Sequence, residues 1–304
     1  MVRRDMRKTH LFRLFRWVAA LSVLIATGAP AHGDDLSRAT VQELIDQLTQ
    51  VDAQTLGIDS FAIYSGFMAD DSPSSFEVGL LGALPPRVSP IMRELVQRGP
   101  QALPVLVAHI SDHRPTKLEV GNTAELISQN KRKATFRFEW MEFSDEYDPR
   151  VRELPGKFHR PTIEKSFEGS YTVKVGDICF ALIGQIVGRR LLAVRYQPSG
   201  GLIVNSPVET PSLAESVKAD WGALDADGLK SSLLADLDWA DEHKADSVQG
   251  EPMKYLAENV AFSALRRLRF YFPESYKALE GNASERKREF EREEAAAKSG
   301  NKSH

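Results

Sequence analysis

The stretch MRELVQRGPQALPVLVAHISDHRPTK, residues 92–117, carries the clearest helical pattern in the chain. Ser89-Pro90 precedes it with an N-cap serine and a first-turn proline. Apolar residues recur at helical spacing on both sides of Gly99-Pro100, where one helix should end and the next begin. They are Ile91, Met92, Leu95 and Val96 before this corner, and Leu103, Leu106, Val107 and Ile110 after it. The stretch predicts an αα-hairpin, which needs other elements to cover its apolar faces.

A second block, VGDICFALIGQIVGRR (175–190), is apolar nearly all round and predicts a central helix with Asp177 as its N-cap. Helical patterns continue to Gly281, so residues 171–281 are expected to form a C-terminal helical core. Residues 32–115 are expected to form an N-terminal helical part, which opens on a Thr40–Glu43 capping box. This part includes a long loop over residues 57–86, and the sequence does not decide whether that loop is functional or disordered.

Residues 116–170 lack helical periodicity and are expected to be a loop insertion with a possible β-hairpin. Its strands would be 117–120 and the alternating stretch TFRFEWMEF at 135–143, with a helical outcome at 135–143 left open. The tail, residues 282–304, is charged, with Phe290 as its one large apolar residue. We expect a solvated helix or disorder there, and a cost under about 0.5 kcal/mol for Phe290→Ala.

Residues 92–117 resemble a HEAT-type helical repeat, and residues 178–187 and 253–279 resemble it more weakly. No repeat period runs through residues 115–170, so the expected fold is mainly α: an irregular HEAT-like αα-hairpin domain with the small insertion. The chain is also similar to exported bacterial proteins of unknown function, through VGDICFALIGQIVGRR and AVRYQPSGGLIVNSP (193–207). The HEAT resemblance implies scaffolding or protein binding, on fold analogy alone.

The first 31 residues match a signal peptide. Arg3, Arg4, Arg7, Lys8, Arg13 and Arg16 precede the apolar run WVAALSVLIATGA (17–29), and Ala29-Pro30-Ala31 fits a cleavage site. The run is too short for a comfortable membrane span, so we expect export to the periplasm or the medium; an uncleaved anchor is the alternative. After cleavage the chain would carry 33 basic and 41 acidic residues, a formal charge of −8, with no stable membrane insertion.

Composition excludes several classes of function. A net acidic charge argues against a general nucleic-acid binder. A single cysteine, Cys179, excludes an intrachain disulfide and a cysteine-based zinc site; in its apolar surroundings we interpret it as a small buried hydrophobe. The sequence contains none of the local motifs of nucleotide-binding, dinucleotide-binding, serine-hydrolase or zinc-protease sites, and no cofactor is predicted.

Two groups of candidate site residues remain. His109 and His113 are four residues apart and would share a helical face, so with a third ligand they would bind zinc; the alternative is a favourable position at a helix C-terminus. Arg114, Lys117, Arg195 and Tyr196 are candidate binding residues beside apolar helices, with helix-corner contacts as the alternative. We favour an exported non-catalytic scaffold that binds a protein over an exported hydrolase with a metal or carboxylate site.

Overall fold

The structure is a computed structural model that describes residues 36–52, 67–70, 89–120, 137–141, 163–168, 171–189, 191, 193–196, 202–244 and 251–300. The predicted signal peptide and all of the predicted long loop except residues 67–70 lie outside the described residues.

The described part of the chain is mainly helical, as the sequence predicts. Its α-helices, numbered here in chain order, are α1 (Val41–Gln47), α2 (Pro90–Arg98), α3 (Leu103–Ala108), α4 (Val175–Val187), α5 (Pro211–Trp221), α6 (Ala226–Lys244), α7 (Glu251–Tyr271), α8 (Pro273–Lys277) and α9 (Gly281–Gly300). Short 3₁₀ turns, Leu48–Gln50 and Gly99–Gln101, follow α1 and α2. Among these described helices none is both long and apolar enough to cross a membrane.

The αα-hairpin forms where the sequence predicts it. The Ser89 hydroxyl accepts a hydrogen bond from the Met92 amide at the start of α2. Gly99 ends α2 with φ of +48°, a conformation that favours glycine, and the Tyr271 ring packs where a side chain at this position would lie. A glycine is therefore needed at this corner for both backbone and packing reasons.

Helix α4 lies at the centre of the core. All of its residues are buried except Gln185, and it packs against α2, α3 and α6. This confirms the prediction of a central helix, although the helix begins at Val175, so Asp177 occupies its third position rather than the N-cap. Gly176 lets the start of α4 approach the turn after α3 closely, since a Cβ there would lie 2.9 Å from the Asp112 amide nitrogen.

A buried ion pair joins the end of α4 to α6. The Arg189 guanidinium donates two hydrogen bonds to the Asp236 carboxylate, at 2.7 and 2.8 Å, and each side chain is only 2% exposed. The two residues are distant in sequence and fix the packing of α6 against the central helix.

The middle of the chain contains strands, but they do not pair as predicted. The strands are β1 (Pro115–Val120), β2 (Arg137–Met141), β3 (Ile163–Glu168), β4 (Tyr171–Lys174), β5 (Val194–Tyr196) and β6 (Leu202–Val204). In the described residues β1 pairs antiparallel with β4 only, and a separate sheet has the order β3-β2-β6-β5, in which β2 and β6 are parallel.

The predicted hairpin between 117–120 and 135–143 is therefore wrong, while strand rather than helix at 137–141 is confirmed. The reason lies in the connection from β4 to α4. The Val175 amide donates to the Arg114 carbonyl at 2.9 Å, which holds the start of α4 beside the start of β1 and brings β4 alongside that strand.

At the C-terminus a helix forms, which is one of the two outcomes expected for the tail, but within the described residues it is docked rather than solvated. Residues 281–300 form α9, and Phe290 is 1% exposed, with its ring centroid 5.5 Å from that of Phe262 on α7. The Glu294 carboxylate accepts a hydrogen bond from Arg269 at 2.6 Å. Helix α9 is therefore docked on α7 by a buried aromatic ring and by ion pairs.

Candidate functional site

The turn between α3 and β1 is the centre of a polar cluster, which we call the turn cluster: Gln42, Asp46, His109, Asp112 and Arg114. His109 Nδ1 lies 3.1 Å from Asp112 Oδ2, and its Nε2 lies 2.9 Å from Gln42 Oε1. The Arg114 guanidinium donates to Asp112 Oδ2 at 2.7 Å and to Asp46 Oδ1 at 2.7 Å. The cluster thereby connects the turn to α1.

Local geometry explains why these side chains meet. Gln42 and Asp46 are four residues apart on α1, so they share one face of that helix. Helix α3 ends at Ala108, and the Asp112 carboxylate accepts a hydrogen bond from the Arg114 amide at 3.0 Å, which closes the turn. The Gly176 amide of α4 donates to the Asp112 carbonyl at 3.0 Å, so the turn is held from a third side.

The electrostatics of the cluster favour its charged form. Partial burial raises the pKa of Asp112, but hydrogen bonds from Arg114 and His109 outweigh that effect and lower the pKa to about 2. Hydrogen bonds to Asp112 and Asp46 raise the pKa of Arg114. The Asp112 carboxylate is thus ionised at neutral pH and acts as a fixed acceptor.

The lowered pKa predicts a pH-dependent contribution of Asp112 to stability. The folded-state pKa lies below the ordinary value of 3.8, so the contribution is complete above about pH 4 and is lost as the pH falls towards 2. Because the site is partly exposed, we expect Asp112→Asn to lower the free energy of unfolding by about 1 kcal/mol at pH 7. Urea unfolding of both proteins at pH 7, 4 and 3 measures this. A difference that stays constant down to pH 3 would contradict the assignment.

A second polar group, the Asp177 network, lies behind the turn. The Asp177 carboxylate accepts hydrogen bonds from the Tyr171 hydroxyl at 2.7 Å, the Lys174 amide at 2.9 Å and the Ser206 hydroxyl at 2.5 Å. Burial raises the pKa of this carboxyl even though these bonds oppose the shift. Asp177 is 1% exposed, so the network joins β4, α4 and the segment after β6 without access to solvent.

The predicted zinc pair does not gain a site from the described residues. Helix α3 ends before His109, so the two imidazoles are not on one helical face, and His113 is exposed while His109 belongs to the turn cluster. The part of the chain that the structure describes holds no group of three or more His, Cys, Asp or Glu side chains arranged for a metal ion. The hypothesis of a zinc site stays a prediction that lacks a third ligand.

The four predicted binding residues lie in two separate places. Arg114 belongs to the turn cluster, and Lys117 lies on β1 with its side chain exposed and its amide donating to the Val51 carbonyl at 3.0 Å. Arg195 and Tyr196 lie on β5, opposite Ile203 and Leu202 of β6. Two of the five residues of the turn cluster, His109 and Arg114, were thus predicted as site residues, in two different groups.

Three members of the turn cluster, Gln42, Asp46 and Asp112, were not among the predicted site residues. The spacing of Gln42 and Asp46 on the polar face of α1 was visible, but their partners lie more than sixty residues away along the chain. Cys179 is buried and its pKa is raised by desolvation, in agreement with its interpretation as a small buried hydrophobe.

Searches of protein-family models, of curated proteins and of solved structures each found no match to this chain.

Proposed function

We propose that the protein is an exported helical scaffold, with HEAT-like packing of its helices, which binds a protein partner and performs no catalysis. One observation carries the proposal: the groups best suited to chemistry are engaged in contacts that hold the fold together. Both ring nitrogens of His109 lie within hydrogen-bond distance of Gln42 and Asp112, and Asp177 and Cys179 are buried. Side chains used in this way position elements of a rigid surface.

The surface that we assign to binding lies beside the turn cluster. Arg114 is 41% exposed, and the neighbouring His113, Pro115 and Lys117 are exposed. The backbone under them is fixed by hydrogen bonds to Val51, Val175 and Gly176. A fixed backbone lowers the entropy lost on association, which favours use of such a surface in recognition.

A pull-down from the native envelope fraction, with the purified chain as bait, tests the proposal. We expect Lys117→Glu to lose a captured protein that the wild type retains, because the substitution reverses an exposed charge without touching the turn cluster. Lys277→Glu, at an exposed lysine on α8, is the matched control and should capture the same protein as the wild type. N-terminal sequencing of the exported chain tests cleavage near Ala31 in the same preparation.

Equal capture by wild type, Lys117→Glu and Lys277→Glu would contradict the assignment of binding to this surface. No specific capture by the wild type would contradict the binding function itself. Recovery of the chain with intact Met1 in a soluble cytoplasmic fraction would contradict export.

An exported hydrolase is the second candidate, and the 3.1 Å contact between His109 and Asp112 favours it, since a carboxylate commonly orients a catalytic imidazole. Metal analysis of the purified chain discriminates between the two functions. Stoichiometric zinc that is lost in His109→Ala would favour the hydrolase over the proposed non-catalytic role.

A further inference from the structure

Four residues, Phe67–Asp70, contact side chains of α2, α4 and α7, and we call the surface that these three helices present to them the groove. Phe67, Met68 and Ala69 are at most 5% exposed. We call this segment the plug. It falls within the stretch for which the sequence alone does not choose between a functional and a disordered loop.

Side chains of two helices form hydrogen bonds with the backbone of the plug. The Met68 amide donates to Gln185 Oε1 at 3.0 Å, and the Ala69 carbonyl accepts from Gln97 Nε2 at 3.1 Å. Gln185 is the one residue of the otherwise buried helix α4 that is not itself buried. Its amide oxygen accepts the hydrogen bond from the plug backbone at the edge of the core.

The two ends of the plug are recognised by their side chains. The Phe67 ring contacts Phe270 and Tyr271 edge-on, with centroid distances of 5.4 and 5.6 Å, and the Arg267 guanidinium lies 4.8 Å from its centroid. The Asp70 carboxylate lies 3.8 Å from Arg266 Nε. The groove thus binds an aromatic residue of the plug at one end and an acidic residue of the plug at the other.

Contacts outside the plug also fix the Arg267 guanidinium beside the Phe67 ring. Its guanidinium donates to the Gln185 carbonyl at 2.7 Å and to the Ser263 hydroxyl at 2.7 Å, so its position does not depend on the plug alone. Desolvation lowers its pKa to about 10, which leaves it cationic at neutral pH. Phe270 remains 38% exposed, so the aromatic end of the groove is open to solvent.

We propose that this groove is a peptide-recognition site, filled in cis by the plug, and that a partner segment with the pattern aromatic, apolar, small, acidic competes for it. Phe67, Met68 and Ala69 pack within the hydrophobic core, and the segment is in addition held by hydrogen bonds to its backbone and by charge at its end, as a bound peptide is. The groove is a further binding site, made of other residues than the surface beside the turn cluster, and the inference rests on the proposed binding function for the existence of a partner.

Binding in trans tests the groove directly. The variant F67G/M68S/A69G/D70S removes the plug from the full chain, and the probe is a fluorescein-labelled peptide of residues 64–73, YSGFMADDSP. Fluorescence anisotropy should show saturable binding to the variant, with an affinity at least tenfold above that of the wild type. In the wild type the plug competes from an effective concentration on the order of millimolar. A scrambled peptide should not bind.

Two further substitutions in the plug-deficient variant locate the binding site. Gln185→Ala should weaken the peptide several-fold because it removes the acceptor for the Met68 amide. Gln101→Ala, at an exposed glutamine beside α3, is the matched control and should leave the affinity unchanged. Equal effects of the two substitutions, or no saturable binding by a folded variant, would overturn the proposal.

The single variant Phe67→Ala keeps the proposal falsifiable if the fourfold variant does not fold, and it should also gain peptide binding. If circular dichroism shows that both variants are unfolded, the plug is an obligatory part of the core and the proposal is overturned. Peptide binding without any captured partner would support the groove as a peptide site and contradict the proposed binding function. Capture of a partner without peptide binding would support the proposed binding function and contradict the groove as a peptide site.

Discussion

Asp236→Ala is expected to lower the free energy of unfolding by about 3–5 kcal/mol, a large part of the ~5–15 kcal/mol that a domain has. The carboxylate accepts both hydrogen bonds from the Arg189 guanidinium, and both side chains are 2% exposed. Removing it leaves a buried positive charge without its counter-ion, which is the costly case for a buried pair. Guanidinium chloride unfolding followed by circular dichroism measures the loss.

A control on the same helix separates burial from the mere presence of an ion pair. Asp227 of α6 contacts Lys230 at 2.6 Å, but its side chain is 85% exposed, so Asp227→Ala should not change the unfolding midpoint measurably. The double variant Arg189→Met/Asp236→Leu should recover much of the stability lost in Asp236→Ala, since it removes both charges together. Equal midpoints for Asp236→Ala and Asp227→Ala would contradict the assigned role of the buried pair.

Elements whose signals are local were predicted well from the sequence. The αα-hairpin depends on Ser89, Pro90 and Gly99, and each acts within a few residues of its position. Helix α4 was recognisable because a helix that is apolar on all sides is stable only when it is buried at the centre of a core. The strand at 137–141 followed from alternation within a single short segment.

Features that depend on pairing between distant segments were not predictable in this way. Alternation shows that a segment is extended, but a partner strand is chosen by the packing of the elements on either side, as β4 is by α4. In the turn cluster, His109 meets Gln42 across 67 positions of sequence. His109 and Arg114, which lie near a helix end, were named, while Gln42 and Asp46 on α1 resemble any polar helical face.

The burial of the plug was likewise not predictable from the sequence. Phe67 and Met68 are apolar residues in a stretch without periodicity, and such a stretch gives no sign of which residues are buried. The groove that holds them draws Gln97, Gln185 and Arg267 from three helices. Only the tertiary arrangement brings these side chains to one place.

Phe290→Ala is expected to cost about 3–5 kcal/mol, in contrast to the small effect that the charged sequence around it suggests. The ring is 1% exposed and packs against Phe262, with the guanidinium groups of Arg266 and Arg269 5.7 and 5.1 Å from its centroid. Truncation to alanine removes these contacts and leaves a cavity between α7 and α9. Thermal unfolding should show a large decrease in the melting temperature.

Arg288→Ala provides the comparison within the same helix, because its side chain is 67% exposed and its removal should change the free energy of unfolding by less than about 0.5 kcal/mol. Similar melting temperatures for Phe290→Ala and the wild type would show that α9 is not part of the cooperative unit. The sequence did not indicate that this helix is docked, because its buried face is built from one ring and from long charged side chains. Arg286, only 2% exposed, lies on that face with its guanidinium donating to the Ala240 carbonyl. Aliphatic stems of such residues cover apolar surface while their charges are paired, so a stripe of this kind carries no hydrophobic period.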